Sequence, residues 1–129
     1  MWRLRKNWTN GSTTGATDPY MTNVFGANIV SNLYDAEKEC WVITFDGDVT
    51  KIGGAAFMNC VGMTSVTIPN SATEIGDFAF SGCADLTSAT ISDGVTKLGS
   101  FVFAECVDLT SVTIGNNVTT IGGNAFDGC

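Results

Sequence analysis

The sequence predicts an α/β-type repeat solenoid that is mostly β, because one 23-residue unit occurs four times in succession. The clearest sign is the motif Ile/Leu-Gly-x-x-Ala/Val-Phe-x-x-Cys, which ends at Cys60, Cys83, Cys106 and Cys129. A second sign is a short run of alternating β-branched residues at a constant distance before each motif. Units of this length stack on their copies, so function must be sought on the faces of the stack.

Each unit is predicted to form one coil, with a strand, a corner, an extended return and a tight turn. The strands are expected near residues 42–46, 65–69, 88–92 and 111–115, in one parallel sheet. The segment around the Ala-Phe pair is too short for a full helix, which favours a single helical or 3₁₀ turn. We expect the glycine of each motif to need a positive φ or to lie close to the neighbouring coil.

Stacking places like residues over like residues, so the motif phenylalanines are predicted to form the spine of the core: Phe57, Phe80, Phe103 and Phe126. The cysteines of the motif form a second file, for which we predict reduced, buried thiols that act as small hydrophobes. Cys40 occupies the position of Met63, Leu86 and Leu109 in the other units and is also expected to pack inside.

Metal binding and catalysis are both disfavoured by the residue types present. The chain has no histidine and no Cys-x-x-Cys pair, which zinc sites usually require. A nucleophilic serine or cysteine would lack the activating base that such chemistry needs. We therefore predict no cofactor, no metal site and no catalytic residue, and the Asp46-Gly47-Asp48 sequence is interpreted as a turn rather than a calcium loop.

Residues 1–39 are predicted to form an N-terminal cap, and residues 40–129 the four repeat units. Within the cap, residues 1–27 are rich in loop formers, and residues 28–39 begin a hairpin that continues to residue 45. The second strand of the hairpin is expected to start the parallel sheet, so that its first strand covers the edge. The alternation of Trp2 and Leu4 predicts a further strand in this cap.

The charge distribution disfavours nucleic acid and anionic lipid as partners. The formal net charge is -7, and residues 40–129 hold nine acidic residues against only Lys51 and Lys97. No basic stripe exists that could displace counterions from a phosphate backbone. No apolar run approaches the length of a membrane span, so membrane insertion is not expected.

The pattern Leu-Thr-Ser-x-Thr-Ile-x-x-x-Val-Thr-x-x-Gly-x-x-x-Phe-x-x-Cys, present at 86–106 and 109–129, resembles the BspA-like leucine-rich repeat. The resemblance covers residues 40–129 and implies a right-handed leucine-rich repeat solenoid. Members of this family typically belong to large bacterial surface or secreted proteins and are associated with adhesion. The resemblance therefore implies binding to a host or cell-surface protein, or to a glycan, and no enzyme activity.

The outward positions of the predicted strands form a small, neutral face rich in hydroxyl groups. The resemblance implies that such a face binds protein or glycan, and its members are Thr44, Ser65, Thr67, Ser88, Thr90, Ser111 and Thr113. Strand propensity and solubility would favour the same residues without any binding role. Ice binding through repeated hydroxyls is disfavoured, because serine replaces threonine in one of the two files.

Two expectations concern the chain as a whole. Residues 1–8 contain a basic stretch but no apolar region, so they do not have the pattern of a secretory signal. Residue 129 is also the last position of a motif, and no polar coil covers it. These features are expected either of a piece of a larger surface or secreted protein, or of a small assembly protein that self-associates through Ile121, Phe126 and Cys129.

Overall fold

The computed structural model describes residues 2–5, 25–27, 29–35, 37 and 40–129, and it describes the strands before residue 46 by their backbone pairing. These residues are almost entirely strand and turn, and the 23-residue units stack as parallel coils. This confirms the predicted repeat solenoid. Within the described ranges, no helix has the length and apolar character needed to cross a lipid bilayer.

The N-terminal part contains an antiparallel sheet of three strands. Strand β1 (Trp2–Arg5) and strand β2 (Ile29–Asp35) lie on opposite sides of β3 (Cys40–Phe45). The strand predicted at Trp2 and Leu4 is therefore present, and so is the pairing of the hairpin. Most of the loop-rich segment predicted for residues 1–27, and most of the hairpin loop, lie outside the described residues. That the hairpin serves as a cap stays a prediction.

The expectation that β3 begins the solenoid sheet is wrong. Both edges of β3 already bond to antiparallel partners, so no edge remains for a parallel neighbour. Instead, β1 comes within 8 Å of β5 (Ser65–Ile68), measured between Cα atoms. Strand β1 thus lies next to the first long strand of the repeats.

The solenoid contains two parallel sheets, whereas the sequence predicted one. The first joins β5 to β7 (Ser88–Ile91) and β9 (Ser111–Thr113). The second joins four strands of two residues each, in the predicted extended returns: β4 (Lys51–Ile52), β6 (Glu74–Ile75), β8 (Lys97–Leu98) and β10 (Thr120–Ile121). Because the returns are extended and separated by the same coil spacing as the long strands, they bond to one another as well.

The tight turn is neither a helical nor a 3₁₀ segment. Every second amide of the turn donates to the carbonyl three residues earlier, as the Ala56 amide does to the Gly53 carbonyl at 3.2 Å. The amides between them donate to the next coil at 2.7 to 2.8 Å: Ala55 to Asp77, Phe57 to Ala79, and Asn59 to Ser81. A helix needs consecutive local bonds, and here every second amide is used for stacking instead.

The phenylalanine spine is confirmed. Phe57, Phe80 and Phe103 are fully buried, and successive rings lie 5.3 Å apart with planes 9° from parallel. Phe126 stacks on Phe103 at 5.7 Å. At the other end, the Phe25 ring packs against Phe57 at 5.6 Å, tilted by 50°.

The backbone of Phe25 also makes the hydrogen bond that an earlier coil would make with the first repeat unit. Its carbonyl accepts the Thr50 amide at 2.9 Å, in the same way that the Thr50 carbonyl accepts the Thr73 amide at 2.9 Å one coil later. The spine and the backbone ladder therefore both extend to residue 25, before the first predicted repeat.

The motif glycines lie against the coil before them, which confirms the close-approach alternative for Gly76, Gly99 and Gly122. A Cβ on Gly99 would come within 2.5 Å of the Asp77 nitrogen and the Gly76 carbonyl carbon. These neighbours are backbone atoms, so they cannot relieve the clash by changing rotamer as a side chain could.

Gly99→Ala is expected to lower the free energy of unfolding by at least about 2 kcal/mol, because the coils must separate to admit the methyl group. The matched control is Gly123→Ala, where nothing lies within 4 Å of the added Cβ, and a change within about 0.5 kcal/mol is expected. Urea denaturation monitored by circular dichroism measures both. Equal effects of the two substitutions would contradict the close packing.

Candidate functional site

The sheet of β5, β7 and β9 presents two files of hydroxyl groups. In β5, Val66 and Ile68 are buried, whereas Ser65 and Thr67 are exposed. Strand register places equivalent residues directly beside each other, so the files are Ser65, Ser88 and Ser111, and Thr67, Thr90 and Thr113. These six residues are called the hydroxyl face below. The structure brings together all but one of the residues predicted for it.

The exception is Thr44, which lies in β3 opposite Ser31 of β2. This strand belongs to the antiparallel sheet, so Thr44 does not continue the files of the parallel sheet. The predicted face is therefore shorter by one coil.

Other threonines of the same coils have a different, structural role. The Thr87 hydroxyl donates to the Thr64 carbonyl at 2.9 Å, and Thr110 repeats this bond to Thr87 at 3.1 Å. A second ladder of this kind joins Thr73 to Thr50, Thr96 to Thr73, and Thr119 to Thr96. By contrast, the six residues of the hydroxyl face make no side-chain hydrogen bond to any described residue.

Chemically, the hydroxyl face offers both donors and acceptors at a regular spacing. Each hydroxyl has one O–H and two lone pairs, so it can match either a carbonyl or an N–H of a partner. Equivalent groups on adjacent strands are about 4.8 Å apart. The three strands carry no charged side chain, so the face does not select a partner by charge.

Three of the four motif cysteines, Cys60, Cys83 and Cys106, are buried as predicted, whereas Cys129 is exposed. Cys83 and Cys106 are free thiols without exposed surface. The Cys83 thiol donates to the Phe57 carbonyl at 3.1 Å, and the Cys106 thiol to the Phe80 carbonyl at 3.2 Å. The neighbouring Cys106 thiol, together with burial, raises the pKa of Cys83 well above its usual range. The thiols therefore join adjacent coils, which a purely apolar side chain could not do.

The described residues include no cluster of three or more His, Cys, Asp or Glu placed to hold a metal ion. Several carboxylates instead accept backbone amides from a neighbouring coil. Asp77 accepts the Ser100 amide at 2.8 Å, Asp93 accepts the Asn116 amide at 2.8 Å, and Asp85 accepts the Gly62 amide at 2.7 Å. These carboxylates therefore contribute to the stacking of the coils.

The residues predicted for self-association form an apolar edge on the fourth unit. Ile121 is 49% exposed and Phe126 is 38% exposed, whereas Leu98 and Phe103, their counterparts one coil earlier, are fully buried. Cys129 is also exposed, although its thiol still donates to the Phe103 carbonyl at 3.2 Å.

Sequence reasoning missed Phe78 and Phe101, which stand at a variable position of the motif. Their rings stack with centroids 5.0 Å apart and planes 2° from parallel, and Phe78 is 39% exposed. Both residues have positive φ, at 59° and 55°. The available signal was an aromatic residue at the same position of two adjacent units, where the other units have Ala55 and Asn124.

Comparisons with known proteins agree with this architecture. The family profile described as "BspA type Leucine rich repeat region (6 copies)" matches residues 27–129. Among solved structures, a leucine rich cell surface protein of Faecalibacterium prausnitzii has the same fold, with a TM-score of 0.50 and 22% identity over 79% of this chain and 24% of its own. The present chain thus spans about a quarter of that protein.

A leucine rich repeat protein of T. pallidum is also similar, with a TM-score of 0.45 and 21% identity over 89% of this chain and 67% of its own. The comparison with curated proteins gave no significant match.

Alkylation of the native protein should distinguish the cysteines of the file. Iodoacetamide is expected to modify Cys129 and to leave Cys60, Cys83 and Cys106 unmodified, because these three are buried. Partial burial of the Cys129 thiol raises its pKa, so its alkylation rate should keep rising at pH values where that of a free cysteine levels off. Peptide mass spectrometry after timed quenching measures each site. Modification of Cys83 as fast as Cys129 would contradict the packing.

Proposed function

Since the chain belongs to the BspA-type leucine-rich repeat family, we propose that it is a non-catalytic binding module whose contact surface is the hydroxyl face. Leucine-rich repeat domains generally mediate protein interactions rather than catalysis. The observation that carries the proposal is the contrast between two sets of hydroxyls in the same coils. One set joins coil to coil, while the hydroxyl face makes no such bonds to the described residues.

The physical properties of the hydroxyl face suit recognition of a protein or a glycan. Its side chains are short, so few rotamers are lost when a partner binds. The strands beneath are fixed by parallel pairing and by buried residues such as Val66 and Ile68. A partner therefore meets a preformed array of donors and acceptors, which lowers the entropic cost of association.

We propose that the module, in residues 40–129, acts in adhesion as part of a larger bacterial surface or secreted protein. The Faecalibacterium protein of the same fold is described as a cell surface protein, and its chain is about four times as long as the region matched here. In such a protein, the repeats would provide the contact surface and other regions would provide anchoring.

Charged substitutions test the hydroxyl face. Thr67→Lys combined with Thr90→Lys is expected to weaken binding to an immobilised matrix protein or glycan by at least about tenfold, because two charges enter a neutral contact. Arrays of extracellular-matrix proteins and of glycans supply the ligand, and surface plasmon resonance measures the affinity.

The matched control is Thr120→Lys, an exposed threonine in β10 of the other sheet, which should leave binding unchanged. Binding that survives the double substitution at Thr67 and Thr90 would rule out this face. No retained ligand on either array would contradict adhesion itself.

A second candidate function is assembly through the apolar edge of Ile121, Phe126 and Cys129. It is favoured by the exposed area of large apolar side chains at this edge, which a second copy of the chain could cover.

Light scattering over a wide concentration range tests assembly. Self-association should give a mass above 13.5 kDa that falls with dilution, and Ile121→Asp should restore the monomer. A strict monomer at high concentration would overturn this candidate.

A further inference from the structure

A second aromatic stack lies outside the core, on the tight turns. Phe78 and Phe101 occupy equivalent positions in adjacent coils, two residues before the buried spine residues Phe80 and Phe103. Their rings are 5.0 Å apart and parallel to within 2°. Phe78 is 39% exposed and Phe101 is half-buried. The pair, called the outer stack below, therefore places apolar surface where the core does not use it.

The backbone at the outer stack is unfavourable for an aromatic residue. Phe78 and Phe101 have φ values of 59° and 55°, in the left-handed region that bulky side chains rarely adopt. The same position holds Ala55 and Asn124 in the other units, with φ of 56° in both. The turn thus forms with a small residue or an amide, and it does not require phenylalanine.

No further aromatic ring among the described residues stacks on Phe78 or Phe101. On one side the column continues with Ala55, and on the other with Asn124, and both side chains are shorter than phenylalanine. The face of an aromatic ring carries negative potential, and it attracts a cation that lies within about 6 Å of the centroid. The exposed part of the outer stack, mainly at Phe78, therefore offers aromatic surface that is suited to a cationic group.

The tight-turn segments that carry the outer stack bear charges of one sign only. The tight-turn segments 53–62, 76–85, 99–108 and 122–129 contain no Lys or Arg. They contain five exposed carboxylates: Asp77, Asp85, Glu105, Asp108 and Asp127. A negative field of this kind accelerates the approach of a positively charged partner and disfavours an acidic one.

We propose that the outer stack and its carboxylates dock an arginine-rich segment of a partner protein. A guanidinium group is planar and weakly hydrated, so it stacks on an aromatic face more readily than an ammonium group does. The rings supply the short-range contact, and the carboxylates supply attraction and hydrogen-bond acceptors for the other guanidinium groups. This surface lies on the tight turns rather than on the long strands, so it is independent of the hydroxyl face.

A fluorescent peptide of six Arg-Ser repeats tests the proposal. A peptide of six Glu-Ser repeats, with the opposite charge, is the control. The Arg peptide should bind the wild-type chain, and anisotropy should show affinity about tenfold lower for Phe78→Asn combined with Phe101→Asn. Asparagine already stands at this position with the same φ at Asn124, and the double substitution leaves the net charge unchanged. If that variant does not fold by circular dichroism, Phe78→Ala replaces it, since Ala55 has the same φ.

Two controls separate the outer stack from general electrostatics. Val107→Asn removes an apolar side chain that is 59% exposed on the same turns, and it should leave the affinity within about twofold of the wild type. Asp108→Asn combined with Asp127→Asn should weaken binding and reduce its dependence on salt. Equal affinity of the wild-type and double-Asn chains at matched salt would overturn the proposal, and so would no binding of the Arg peptide or equal binding of the Glu peptide.

Discussion

Hydrogen bonds between one coil and the next fix the position of every other feature of this protein. They run through the backbone, as in Phe57 to Ala79 at 2.7 Å, and through side chains, as in the Cys83 thiol to the Phe57 carbonyl at 3.1 Å. Because each kind of bond recurs every 23 residues, any residue must be compatible with its counterpart in the next coil. Glycine at position 99, cysteine in the buried file and threonine in the two ladders all follow from this single requirement.

The same constraint explains why the two proposed binding surfaces are rows of equivalent residues. A side chain that points outward in one coil points outward in all of them, so a single weak contact is repeated at a fixed spacing. The hydroxyl face repeats a neutral donor and acceptor, and the outer stack repeats an aromatic ring within a negative field. Since stability in such a stack comes mainly from contacts between adjacent coils, the outward positions can vary without loss of the fold.

Much of the fold was predictable because a fixed repeat length predicts which residues of adjacent coils are in contact. The burial of Phe80 and Cys83 and the exposure of Thr67 and Thr90 follow from alternation and period, whereas the pattern left two alternatives for Gly99 and the structure chose the close approach. The tight turn was not predictable in detail, because its amides alternate between local and inter-coil bonds, and nothing in the pattern assigns a left-handed φ to Phe78. The place of Thr44 was also mispredicted, since β3 fits the strand pattern of the repeat yet pairs with β1 and β2 instead.

By itself, the sequence determined the period, the register between coils and the identity of the stacked core, since each of these depends on residues that recur at equal intervals. Only the tertiary structure decided that the returns form a second sheet, that β3 joins an antiparallel sheet, and that Phe25 takes the place of a preceding coil. It also decided that the rings of Phe78 and Phe101 stack on each other outside the core. These outcomes depend on how the backbone closes each coil and on which edges remain free, and neither property is encoded in a local pattern.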